Sequence, residues 1–365
     1  MKPLQLFKPT TINRLLSTIF LLITLLFLSS CEKELEFTID TSQLKQAYTP
    51  QDNISLQLKN DNTETIEKVE YFINDIKIGT SKANNKVNFS FKNQKLGYQN
   101  VKAIIFYNGK QTEATTRVEL FSDSTPKLLT YTIVNTYPHD TKAYTQGLEF
   151  YNNSLIEGTG NGAGQDTGTK GISSLRKVDY KTGKVTQRIE LPEAIFGEGI
   201  TILNNQLYQL TYRNNEAYVY DATTFEKQKT LPYFKPMEGW GLTNNGKHLL
   251  MSDGSEKIYT LNPTDFKEIS SINVYTNSSK IDNINELEYI NGKIFANIYT
   301  KDAIAIINPT NGAVEAIINC ADLINKTTQT PDRDYFNGIA YNPTTQTYFV
   351  TGKNWDKIFE LKINF

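Results

Sequence analysis

The chain has 365 residues, with 38 basic against 39 acidic side chains and a net charge of −1, so no global field gathers nucleic acid or an acidic partner. Its 21 Tyr and 19 Phe, with recurrent Thr and Ile, suit strands better than helices. Two Cys and two His limit the chemistry: His139 and His248 cannot alone build a structural zinc site, which usually takes four Cys/His ligands, neither sits in a ligand spacing, and a catalytic zinc completed by carboxylates has no support in the sequence.

Lys2, Lys8 and Arg14 precede and border a 14-residue apolar run, residues 15–28 (LLSTIFLLITLLFL), too short for a comfortable membrane span. Leu28-Ser29-Ser30-Cys31 follows and resembles the bacterial lipobox. The resemblance implies a signal peptide over 1–30 and a lipidated Cys31 as the mature N-terminus. The protein is then extracytoplasmic, anchored through acyl chains to a bacterial membrane at its periplasmic face or the cell surface. A plain signal peptide ending near Cys, or a short anchor helix, is the alternative. With Cys31 lipidated, Cys320 has no partner and is expected as a buried free thiol. The acidic CEKELE opening reads either as a sorting signal or as the solvated start of a linker.

Residues 31–50 are polar, lack sustained periodicity and read as a tether. Over 51–123, alternation at Ile54/Leu56/Leu58, Val69/Tyr71/Ile73 and Val87/Phe89/Phe91 predicts strands, with turns at Asn74-Asp75 and Asn108-Gly109. Seven short strands in about 70 residues suggest an immunoglobulin-like β-sandwich, a spacer or an adhesion module rather than a chemical one, with the spacer role favoured. Residues 122–126 (SDSTP) mark the boundary.

Beyond it one pattern recurs: Gln146-Gly147-Leu148, Glu198-Gly199-Ile200, Trp240-Gly241-Leu242, Asn337-Gly338-Ile339, and Asn285-Glu286-Leu287 with Glu in place of Gly. The positions 147, 199, 241, 286 and 338 are 52, 42, 45 and 52 apart. Each start leads to a turn such as Asn152-Asn153 or Asn204-Asn205, then a second apolar strand. Five copies of three to four strands predict a five-bladed β-propeller over 128–365; a stacked sandwich or solenoid is the other solution. The last copy lacks a fourth strand, and residues 128–137 supply a spare one upstream, which favours a closed ring.

In a propeller the first strands line the channel, so Gln146, Glu198, Trp240, Asn285 and Asn337 should converge on one mouth, an active-site composition. The segments Tyr144-Thr145-Gln146-Gly147-Leu148, Ser173-Ser174-Leu175-Arg176, Phe196-Gly197-Glu198-Gly199, Leu210-Thr211-Tyr212, Glu238-Gly239-Trp240-Gly241-Leu242, Asn285-Glu286-Leu287-Glu288, Ala296-Asn297-Ile298-Tyr299 and Thr351-Gly352-Lys353 resemble, in order and spacing, the plant and bacterial glutaminyl cyclase (glutamine cyclotransferase) family. The resemblance implies an enzyme that closes the N-terminal glutamine of peptides into pyroglutamate, an intramolecular aminolysis. It implies Glu198, Asn285 and Lys353 as catalytic residues, and Gln146, Tyr212, Trp240 and Tyr299 as substrate-binding ones. At 212 and 299 the family usually carries Trp. It implies no cofactor for the chemistry, and a structural calcium on the channel axis whose ligands the sequence does not assign.

Taken alone, these residues have blander readings: Glu198 a solvated turn-end carboxylate, Trp240 channel packing, Lys353 a surface charge, Tyr212 and Tyr299 buried propeller tyrosines. Arg176 reads as a residue that holds blades together. The insertion over 158–168 (GTGNGAGQDTG) lacks the Lys-Ser/Thr ending of a phosphate loop and the Asp spacing of a calcium loop, and reads as a flexible hairpin loop. Aromatic residues come without a basic stripe, which argues against nucleic acid. Two other classes remain: a non-catalytic surface propeller binding peptide or glycan, and a strictosidine-synthase-like or lactonase-like hydrolase. The hydrolase would want a fuller metal-binding cluster around the channel.

Overall fold

The computed structural model describes residues 36–59, 64–162 and 171–365; the leader with Cys31, and most of the glycine-rich insertion, lie outside them. Among the described residues the regular elements are all strands apart from one 3₁₀ turn, Ile324–Lys326.

The N-terminal part comprises β1 (Thr38–Ile39), β2 (Asn53–Leu56), β3 (Leu58–Lys59), β4 (Ile66–Ile73), β5 (Ile76–Lys82), β6 (Val87–Ser90), β7 (Gly97–Tyr107) and β8 (Lys110–Leu120). A sheet in the order β5-β4-β7-β8 accompanies the pairs β2-β6 and β1-β3. Alternate residues of β2, β4 and β7 (Ile54, Leu56, Val69, Tyr71, Ile73, Val101, Ala103, Ile105) fill one core, as period-2 patterning requires. The predicted turns hold: Asn74-Asp75 and Asn108-Gly109 have positive φ throughout and join directly paired strands, the geometry that matches strand twist. Residues 36–50 do not behave as a tether. Phe37, Ile39 and Tyr48 are buried in this core, and β1 pairs with β3. Their irregular spacing hid them from a periodicity reading.

β9 (Lys127–Pro138) leads into five groups of strands, the first three forming separate four-stranded sheets and the last two joined through β9 into one eight-stranded sheet. The first holds β10 (Tyr144–Tyr151), β11 (Ser154–Gly160), β12 (Ser174–Asp179) and β13 (Lys184–Glu190); the second β14 (Gly197–Leu203), β15 (Gln206–Thr211), β16 (Glu216–Asp221) and β17 (Lys227–Pro232). The third holds β18 (Leu242–Asn244), β19 (Leu249–Ser252), β20 (Lys257–Leu261) and β21 (Glu268–Asn273); the fourth β22 (Ile284–Ile290), β23 (Lys293–Ile298), β24 (Ala303–Ile307) and β25 (Val314–Asn319). The last holds β26 (Phe336–Asn342), β27 (Thr347–Gly352) and β28 (Lys357–Asn364). Asn152-Asn153, Asn204-Asn205 and Asn291-Gly292 again join first to second strands with positive φ.

The first strands pack in a cycle, β10 on β14, β14 on β18, β18 on β22, β22 on β26, and β26 back on β10. Glycine follows the first residue of most copies because neighbouring backbones meet there. A Cβ on Gly199 would lie 2.5 Å from the Leu242 nitrogen, and one on Gly241 would run into the Asn285 carbonyl. In the copy with Glu instead, Glu286 reaches across the ring. Its carboxylate accepts from the Leu148 amide at 3.2 Å and the Ile339 amide at 2.9 Å, on two other first strands.

β9 pairs antiparallel with β28, supplying the strand that the last copy lacks. Its first residues, Lys127 to Leu129, also pair in parallel with Ala316 to Ile318 of β25, joining the last two groups at their edges. The N-terminal part rests on the third sheet's exit: Tyr275 is buried in its core, Tyr275 donates to Glu119 at 2.9 Å, and Asn273 Nδ2 to the Leu96 carbonyl at 2.6 Å. Cys320 is a buried free thiol, and burial, with Asp322 and Asp302 nearby, pushes its ionisation far up.

Candidate active site

Four of the five first strands break register where the repeat begins, between Thr145 and Gly147, Gly197 and Ile200, Ile284 and Leu287, and Phe336 and Ile339. A bulge re-aims the side chain at the break, and the residues it displaces include Gln146, Glu198, Asn285 and Asn337. In the third copy the start precedes β18, and irregular bonds to Ser252 replace the ladder: Trp240 N to the Ser252 carbonyl at 3.1 Å and Gly241 N to Ser252 Oγ at 2.8 Å. Ser252 Oγ in turn donates to the Asn285 carbonyl at 2.7 Å, tying the third start to the fourth.

These starts surround a cavity of about 180 Å³ lined by Tyr144, Gln146, Phe196, Glu198, Tyr212, Trp240, Asn285, Tyr299 and Lys353. That is room for one residue, below the roughly 300 Å³ where drug-sized pockets begin. The seven residues singled out in the sequence therefore share one chamber. Asn337, expected with them, stands behind it. Its Nδ2 donates to Gln146 Oε1 at 3.1 Å and to the Thr145 carbonyl at 2.9 Å, so it orients Gln146.

Glu198 is 4% exposed. Its Oε1 accepts from Gln146 Nε2 at 3.2 Å, and its buried Oε2 has no hydrogen-bond partner. Burial raises the Glu198 carboxyl well above the ordinary carboxylate range; the Lys353 ammonium partly offsets this, and Glu238 adds to it. Lys353 is equally buried, its Nζ 4.9 Å from the ring centres of both Tyr144 and Tyr299. Burial lowers its pKa against the pull of Glu198 and Asp334.

The aromatic walls brace one another. Trp240 meets Tyr299 edge-on at 5.6 Å, Tyr299 meets Tyr335 at 5.1 Å, and Phe196 meets Tyr212 at 5.7 Å. Glu238 pins the rim. It accepts from Trp240 Nε1 at 3.1 Å and pairs with Arg213 at 2.7 Å, whose guanidinium lies over Tyr212 at 4.6 Å. Tyr144 donates to Asp334 at 2.8 Å. Tyr144, Phe196 and Glu238 were not singled out from sequence as site residues. Each lies two residues before a repeat start.

Arg176, read as a structural residue, is buried, donating from Nη1 to Asp140 Oδ2 at 2.9 Å and from Nε to Ser174 Oγ at 2.8 Å. Near the axis, Glu149 accepts from the Ile202 amide at 2.9 Å and Glu288 from the Tyr341 amide at 3.2 Å, and burial raises both carboxyls, Glu149 to about 7. Among the described residues no group of three His, Cys, Asp or Glu side chains could hold a metal ion.

A family model described as glutamine cyclotransferase matches residues 103–363, reaching back into β7. The chain is 36% identical over 233 residues to a glutaminyl-peptide cyclotransferase of Arabidopsis thaliana, covering 63% of this chain and 70% of that protein. The crystal structure of Myxococcus xanthus glutaminyl cyclase superposes with a TM-score of 0.59 at 29% identity, over 66% of this chain and 98% of that one. With most of the chain inside the family match, and a relative of this identity covered over more than two thirds of its length, the chain belongs to the glutamine cyclotransferase family.

Proposed function

We propose that this chain closes the N-terminal glutamine of peptides and proteins into pyroglutamate, with release of ammonia. One observation carries the reading. Glu198 is a buried carboxylate with one oxygen bonded and the other unpartnered, in a chamber for a single residue that it shares with Lys353, Gln146 and Asn285.

The chemistry uses these groups as follows. The α-amine nitrogen attacks the carboxamide carbon of its own side chain; the five-membered ring makes proximity intrinsic once the chain is held folded. Glu198 takes a proton from the attacking nitrogen and gives one to the amide nitrogen. The carbon–nitrogen bond then breaks, ammonia leaves, and Glu198 returns to its starting state. A carboxyl held above the ordinary carboxylate range suits both halves of that shuttle. Gln146 orients Glu198, while Asn285 and Lys353 stabilise the charge on the carbonyl oxygen. Tyr144, Phe196, Tyr212, Trp240 and Tyr299 enclose the side chain and exclude water, favouring ring closure over hydrolysis. Every step is assigned to side chains of this chain.

We read the ring of first strands as a five-bladed β-propeller over 128–365, supported by the five groups of strands and the β9–β28 pairing. Residues 51–123 are read as an immunoglobulin-like sandwich, supported by the buried alternation of β2, β4 and β7. The leader motif supports a lipoprotein anchored by Cys31 outside the cytoplasm, acting on peptides there.

The test is incubation of the purified chain with a Gln-initiated dipeptide, followed by ammonia assay and mass spectrometry. Stoichiometric ammonia with loss of the same mass from the peptide supports the reading. Peptide binding without ammonia would replace it with a non-catalytic binding role.

A further inference from the structure

Outside the chamber, one buried charged cluster is used by no step above. His139 and Asp140, between β9 and β10, meet Glu157 of β11 and Arg176 of β12. His139 Nε2 is 2.9 Å from Glu157 Oε1, and its Nδ1 is 2.8 Å from the Trp355 carbonyl. Nδ1 is also 3.3 Å from Thr351 Oγ1, whose own hydroxyl donates to the Lys357 carbonyl at 2.8 Å. Both ring nitrogens therefore face acceptors. A neutral imidazole has one N–H and would leave lone pair against lone pair at one of them; an imidazolium satisfies both. Moving the proton to Glu157 is disfavoured, because Glu157 Oε1 also accepts from Thr145 Oγ1 at 2.8 Å and Oε2 lies 4.0 Å from Arg176 Nη1. The facing charges, His139, Arg176 and Glu157 with the part-exposed Asp140, then pair off two against two.

The cluster sits where the last sheet meets the first, and each side leads to the chamber. On one side Trp355 and Thr351 flank Lys353. The His139 amide bonds the Asp356 carbonyl at 2.9 Å, and the Asn354 amide bonds the Ala143 carbonyl at 2.8 Å. On the other, Glu157 holds Thr145, the neighbour of Gln146. The Thr145 carbonyl accepts from Asn337, which orients Gln146, which holds Glu198.

We propose that His139 is a positioning residue, a buried imidazolium that clasps the Lys353 turn to the strand carrying Gln146 and so sets the geometry of the reacting groups. It touches no substrate. Its pKa is raised: burial opposes the charge, but the Glu157 carboxylate and the Trp355 carbonyl outweigh burial and the repulsion of Arg176.

The experiment has two arms on the full chain. ¹⁵N-histidine labelling gives only two ring systems, His139 and His248, assigned with His248→Gln. At pH 7 both His139 ring nitrogens should be protonated; a singly protonated ring overturns the proposal. In the second arm, Thr145→Val cuts the Glu157 link without touching His139, and Thr145→Ser returns the hydroxyl. Misplacement of reacting groups costs rate steeply, so kcat should fall about tenfold in Thr145→Val with KM within about twofold, and recover in Thr145→Ser. Unchanged kcat in Thr145→Val, or a loss that Thr145→Ser does not restore, overturns the positioning role. The kinetic arm rests on the proposed activity. A wild-type chain that releases no ammonia sinks that activity, while the ring spectrum still decides the charge state of His139.

Discussion

Gln146 and Glu198 stand on neighbouring first strands and share a single hydrogen bond, Nε2 to Oε1 at 3.2 Å. It fixes the carboxylate's orientation and leaves Oε2 buried and unpartnered. An unsatisfied buried carboxylate oxygen is costly in a fold, and this oxygen is the one that the proposed proton shuttle would use.

Glu198→Gln should keep the fold and lower kcat by about 10²–10⁴-fold, the usual worth of general acid–base assistance, with a smaller change in KM. Ammonia release measures the rate and circular dichroism checks the fold. The exposed Glu226→Gln is the control and should be silent. A folded Glu198→Gln protein retaining most of its activity removes Glu198 from the shuttle.

The acid limb of the rate profile follows from the raised Glu198 carboxyl. The shuttle starts from the ionised form, so activity should fall as pH drops through a pKa well above the ordinary carboxylate value near 4.5. Lys353 stabilises that ionised form, so Lys353→Met should move the limb to still higher pH as well as slow the reaction. A limb at the ordinary value in the wild type, measured as kcat against pH, contradicts the assignment.

Tyr212 and Tyr299 should respond differently to Trp. Tyr212 is part-exposed and lies at the rim beneath the exposed Arg213. Tyr299 is wedged between Trp240 and Tyr335, with the Lys353 ammonium 4.9 Å from its ring centre. Overpacking costs about 1–3 kcal/mol, so Tyr299→Trp should lower the melting temperature and disturb kcat. Tyr212→Trp should change KM alone. Identical effects of the two would show that the walls are not differently braced.

A chain beginning at residue 124 should fold but melt several degrees below the full chain, because Tyr275 loses its cover. Exposing a large apolar side chain costs roughly 1.5–3 kcal/mol. A chain beginning at residue 139 should not fold stably, since β28 and β25 both lose their partner β9. Thermal denaturation separates the two, and equal melting of both shorter chains would remove β9 from the account of closure.

Much of this protein is local and so legible in one dimension. Paired Asn residues mark tight hairpins because positive φ is a property of the residue itself, and the five starts recur because each sheet poses the same problem at the crowded axis. The residue at each start becomes a site candidate on that ground, whereas Tyr212, Tyr299 and Lys353 are reached only through the family resemblance. What the sequence could not show is how residues far apart in the chain face one another. Asn337 looks equivalent to Asn285, yet it stands behind the cavity supporting Gln146. Phe37, Ile39 and Tyr48 lie in a stretch with no period, but neighbouring sheets bury them. Glu286 replaces a glycine, and only the closed ring reveals two amides from other sheets waiting for its carboxylate. His139 carries no local signal. Its charge is decided by acceptors 18 and 216 positions along the chain, which meet only because the last sheet closes on the first.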